Sequence, residues 1–114
     1  MTEKLNELIE DLNSTLKYLN DLDKVLTDDL YYNLKCNLYY WIKMLTLILD
    51  NLKELQELDK ELIASILISI NEIFLELRYF EDNFMPKDKN DVRFYNLRCA
   101  TSNCFHVKKC LELI

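Results

Sequence analysis

Glycine is absent from all 114 residues, and the chain has one proline (Pro86) and two alanines (Ala64 and Ala100). The missing glycine excludes a large set of functions. Loops that cradle phosphates need glycine for positive φ and for close approach of the backbone to the ligand. No P-loop, dinucleotide-binding turn or kinase-type loop can be built without it. Arginine is scarce too, and the 14 basic side chains are scattered and outnumbered by 20 acidic ones. Nucleic-acid binding rests largely on counterion release by clustered Lys and Arg, so a net charge of -6 argues against nucleic acid as the main partner. No uncharged apolar run approaches the roughly 18 residues needed to span a bilayer, so no membrane partner is expected. Met1-Thr2-Glu3-Lys4 leads into an amphipathic segment with acidic residues, so no export signal is expected and the chain reads as cytoplasmic. In that compartment Cys36, Cys99, Cys104 and Cys110 are expected as reduced thiols, packed like small apolar residues.

What fills the gaps is Leu, Ile, Asn, Lys, Asp and Tyr. These have AT-rich codons, whereas the scarce residues have GC-rich ones. The composition therefore points to an AT-rich genome: a low-GC bacterium, its phage or plasmid, or an AT-rich eukaryotic parasite or virus. Half of the residues are hydrophobic, enough for a core, and the length suits one domain over residues 1–114.

The apolar residues recur at helical period throughout. Leu5, Leu8, Ile9, Leu12, Leu16, Leu19, Leu22 and Leu26 form one stripe, with Thr2 as a candidate N-cap. A break is expected within Asn20–Thr27, and Thr27-Asp28-Asp29 suits a helix start. The second helix then carries Leu30, Leu34, Leu38, Trp41, Ile42, Leu45, Ile48, Leu49 and Leu52. Asp59 is expected to cap a third helix bearing Leu62, Ile63, Ile66, Ile70, Ile73, Phe74 and Leu77. Pro86 marks the clearest loop, and Asn90 is the expected cap of a fourth helix with Leu97, Ala100, Cys104, Val107, Leu111 and Ile114 inward. The expected helices span about residues 3–20, 28–55, 60–83 and 90–114. The expected fold is all-α, an antiparallel four-helix bundle.

Two of these helices carry a second apolar stripe. Cys36, Tyr40, Met44 and Leu47 in the second helix, and Ala64, Ile68, Leu75 and Tyr79 in the third, lie roughly opposite the main stripes at ~100° per residue. A helix that is apolar on two sides needs partners on two sides. A four-helix bundle has one central core, so these eight residues are expected to form an interface, and the bundle to assemble as a homodimer.

The last helix holds what chemistry there is. Cys99, His106 and Cys110 share a helix face, and with Cys36 they would supply the four ligands of a structural zinc site. Their spacing matches no zinc finger, and buried thiols beside a half-exposed histidine explain the same residues without metal. Arg98 is followed by His106 after seven residues. This resembles, with too long a gap, the Arg-then-His motif of four-helix ribonucleases of the HEPN class. That resemblance implies RNA cleavage by Arg98 and His106. A di-iron bundle site would need Glu-x-x-His, and residue 103 is Asn, so that site is absent. Ser102 stands four residues before His106, with nothing to activate it.

The expected function is a non-enzymatic protein-binding module without cofactor, acting on a second copy or a host protein. A compact, acidic, glycine-free helical chain suits a small inhibitor or immunity-type accessory protein of a phage or other mobile element. The alternatives are the ribonuclease and a zinc-stabilised helical module.

Overall fold

The computed structural model describes residues 2–27, 31–55 and 59–114. They form four helices: α1 (Thr2–Val25), α2 (Tyr32–Glu54), α3 (Lys60–Asn83) and α4 (Val92–Glu112), with no strand among the described residues. α1 packs against α2 and α4, and α3 packs against α4 and, sparsely, α2. Among the described residues the backbones of the diagonal pairs stay farther apart, so the helices follow one another around a single core. None of the described helices is long and apolar enough to cross a membrane.

Side-chain size sets the spacing. Thr15 is fully buried on α1, where its hydroxyl donates to the Asp11 carbonyl, and Ala100 is fully buried on α4. These short side chains let α1 and α4 approach closely. Cys104 does the same between α4 and α3, with its Sγ 3.9 Å from the Ile70 carbonyl oxygen. Between α2 and α3 stands Trp41, with no exposed surface. Its indole Nε1 donates to Glu76 Oε2 at 2.9 Å, and its ring meets Phe80 edge-on at 5.7 Å. A buried tryptophan needs a partner for its N–H, and Glu76 supplies one from the neighbouring helix. The other expected core residues, Leu38, Leu45, Ile66, Ile70 and Phe74, are buried as well.

Three boundaries differ from the sequence reading. α1 continues to Val25 instead of ending near residue 20. Leu22 and Leu26 extend its buried stripe, and that burial outweighs the poor helix propensity of Asp21 and Asp23. Lys35 of α2 then caps the exposed end, with its Nζ donating to the carbonyls of Asp23 and Leu26. The α2 start expected at Thr27-Asp28-Asp29 falls largely outside the described residues, as does Leu30; the helix itself begins at Tyr32. α4 is capped by Asp91 instead of Asn90. The Asn90 N–H donates to Asp88 Oδ1 in the preceding turn, leaving Asp91 to accept from Arg93 N. Asp59 caps α3 as expected, accepting from Glu61 N.

The Pro86 loop also contributes to the core. Phe84 is buried and stacks on Tyr31 at 5.0 Å and on Phe94 at 6.3 Å. The Arg93 guanidinium lies 5.2 Å from the Tyr31 ring centre, and Tyr31 Oη donates to the Met85 carbonyl. The Met85–Pro86 peptide bond is cis.

Arg93 also closes a bidentate pair with Asp91, with Nη2 2.6 Å from Oδ2. This hydrogen bonding holds the Asp91 carboxyl down to about 2, from an ordinary 3.8. Its contribution is therefore present above pH 3.8 and is lost as pH falls through about 2. Asp91→Ala should cost about 0.5–2 kcal/mol as a lost cap. Denaturant titrations across this acid range should show the low-pH loss in the native chain and a smaller one in the variant.

Candidate functional site

The second stripes of α2 and α3 are left uncovered by the chain's own fold. Leu47 is 51% exposed, Ile68 64%, Leu75 54%, Tyr40 47% and Tyr79 63%. Cys36 and Ala64 are exposed as well, while Met44 is half-buried and packs against the core. Tyr32 and Tyr39 of α2 add to the exposed aromatic surface. The reason is geometric: the inward stripes of four helices fill the single core, and residues about 180° around the wheel have no neighbour to meet.

The α3 stripe reaches both neighbouring helices. Tyr79 borders α2, lining with Asn33 and Leu34 an aromatic cleft of about 350 Å³. Ile68 instead borders α4, beside Lys108 and Glu112. The α3 stripe thus wraps an outer corner of the bundle and continues towards Phe105 of α4, which is 41% exposed and packs on Phe74 at 5.4 Å. Phe105 went unnoticed in the sequence because it sits among polar residues on a helix with one weak stripe.

The four residues expected to hold zinc are not brought together. Cys36 is exposed on α2, the helix diagonal to α4. It hydrogen-bonds Tyr32 one turn back, which holds the Tyr32 hydroxyl above its usual range. Cys99 pairs in the same way with Tyr95, raising that phenol, and the Tyr95 ring meets Tyr18 of α1 edge-on. Cys99 shares a face with His106, but seven residues of helix separate them by about 10 Å along the axis. One ion cannot bridge that distance.

His106 and Cys110 face α1 instead. His106 Nδ1 lies 3.9 Å from Asp11 Oδ2, and ligand atoms of Glu7, Asp11 and Cys110 all lie within 4.8 Å of one another. Asp11 Oδ2 is buried and has no hydrogen-bond partner among the described residues. Burial pushes the Asp11 carboxyl up, with Glu7 and Glu10 adding to it and His106 opposing. Burial also raises the Cys110 thiol, helped by Glu7 and Asp11.

Arg98 is on the other flank of α4. It lines a shallow groove against α3 with Arg78, Glu81 and Ser102. Burial raises the Glu81 carboxyl against the pull of Arg98. Arg98 and His106 therefore face different neighbouring helices, two turns apart, and do not converge within the chain. Ser102 goes with Arg98 into that groove.

All four cysteines are free thiols. Cys104 is buried, and burial pushes it up to about 12. Cys36 is exposed. In a chain made monomeric by Leu47→Glu with Leu75→Glu, a maleimide should label Cys36 first and spare Cys104 until denaturant is added, as read by mass spectrometry of the peptides. Rapid labelling of Cys104 in the folded chain would contradict the packing of α3 on α4.

No family model matches the chain, and no curated protein or solved structure is significantly similar to it.

Proposed function

We propose that this chain is a non-enzymatic protein-binding module that works as a homodimer through the outer faces of α2 and α3. The observation that carries the reading is the exposure of Tyr40, Leu47, Ile68, Leu75 and Tyr79, each about half or more open to solvent. Large aliphatic and aromatic side chains repeated along the outer faces of two helices are uncommon on a monomer unless they serve as an interaction site. Tyrosines interleaved with aliphatic residues are the composition of interface centres. A second copy is the occupant because an apolar face of one chain is matched by the same face of another about a two-fold axis, and such closed pairs are the commonest oligomers.

The clefts support the same reading. Among the described residues, the aromatic cleft beside Tyr79 is lined by aromatic, aliphatic and amide side chains, with no carboxylate, histidine or cysteine. Arg98 and His106 face different neighbouring helices of the one chain, which weighs for binding over the ribonuclease alternative. A small, acidic cytoplasmic accessory protein of an AT-rich mobile element remains the setting that this surface and composition suit best. The test is the mass of the chain in solution, with Leu47→Glu and Leu75→Glu combined as the comparison.

A further inference from the structure

We propose that Glu7 and Asp11 of α1, with His106 and Cys110 of α4, form a site for one divalent transition-metal ion, Zn²⁺ above all. The register produces it. Along α1 the partners rise from Glu7 to Asp11 to Tyr18, while on α4 they fall from Cys110 to His106 to Tyr95, so the helices run antiparallel. Each helix offers donors at i and i+4, neighbours on one face. Glu7 therefore stands level with Cys110, and Asp11 with His106.

The distances bring the donors of Glu7, Asp11 and Cys110 within reach of a single ion, and His106 joins them by turning inward. Tetrahedral zinc, with ligands about 2.0–2.3 Å away, spaces its ligand atoms about 3.3–3.8 Å apart. His106 Nδ1 and Asp11 Oδ2 are already 3.9 Å apart, and Glu7, Asp11 and Cys110 need only tighten from within 4.8 Å. His106 is 70% exposed and Glu7 is exposed, so both can turn inward without disturbing the core.

Asp11 adds to this. Its side chain is 27% exposed, but its Oδ2 is buried, faces His106 Nδ1 at 3.9 Å and makes no hydrogen bond among the described residues. Buried acceptors are normally satisfied, and leaving one unpaired is costly. This oxygen sits in the space shared with Cys110 and His106, where a cation would satisfy it. Lys4 offsets part of the negative charge near Cys110 but is itself exposed. A thiol and an imidazole among the donors select zinc over magnesium or calcium. Bound there, the ion would tie α1 to α4 and add its binding free energy to that of folding. The site is separate from the α2 and α3 faces and does not depend on dimer formation.

The experiment is a titration of the reduced, chelator-treated full chain with Zn²⁺ by calorimetry and with Co²⁺ by absorption. The expected result is one ion per chain, a thiolate-to-cobalt charge-transfer band, and a rise in melting temperature with Zn²⁺. Cys110→Ser should abolish the band, whereas Cys99→Ser and Cys36→Ser should keep it. Asp11→Asn and Glu7→Gln should each weaken Zn²⁺ at least tenfold, with circular dichroism confirming that both stay helical; Glu7→Gln, at an exposed position, guards against a folding artefact. Absence of heat and of the band would overturn the site. So would a band that survives Cys110→Ser, or Zn²⁺ affinity indifferent to both carboxylate variants.

Discussion

Trp41→Ala is expected to destabilise the bundle by about 3–5 kcal/mol, close to the whole margin of a small domain. The indole is fully buried where α2 and α3 are most loosely joined, so its removal opens a void between them. Phe80 then loses its edge-on partner. Glu76 loses a donor, but it is only half-buried and water can replace the indole N–H. Most of the cost is therefore lost packing. Trp41→Phe separates the two contributions: it keeps much of the volume and should cost clearly less than the alanine variant. Urea denaturation reads both, and an alanine variant within about 1 kcal/mol of the native chain would show that Trp41 does not hold α2 to α3.

Leu47→Glu combined with Leu75→Glu is expected to yield a folded monomer. Each leucine is about half exposed in the single chain, so a charge there touches no core. Substitutions of that kind usually change monomer stability by less than about 0.5 kcal/mol each. At the centre of an interface the same charge must be stripped of water, which is strongly disfavoured. The double variant should therefore keep its helical circular dichroism and lose association. Cys36 and Ala64 lie at the ends of the same stripes and are small, so they are expected to matter less.

Much of the fold was legible because one signal, the 3.6-residue recurrence of Leu and Ile, runs through every helix. The second stripes were legible for the same reason, since Tyr40, Met44 and Leu47, and Ile68, Leu75 and Tyr79, recur at helical spacing opposite the inward residues. Boundaries were harder. Asp21 and Asp23 looked like a break, yet burial of Leu22 and Leu26 carried α1 across them. Phe84 looked like part of a loop, and only its stack with Tyr31 and Phe94 makes it core. The donor cluster was half legible. His106 and Cys110 stand out on α4, but their true neighbours Glu7 and Asp11 are two acidic residues among 20, distant in sequence. No pattern along the chain marks which carboxylates face a thiol once α1 and α4 pair; the antiparallel register alone decides that.

The most direct test of the interface is light scattering of the native chain, run beside the double variant, at protein concentrations up to about 100 µM. The expected result is twice the 13.7 kDa chain mass for the native protein and a single chain for the variant. A native protein that stays at 13.7 kDa throughout would contradict the homodimer, and so would a double variant that still pairs.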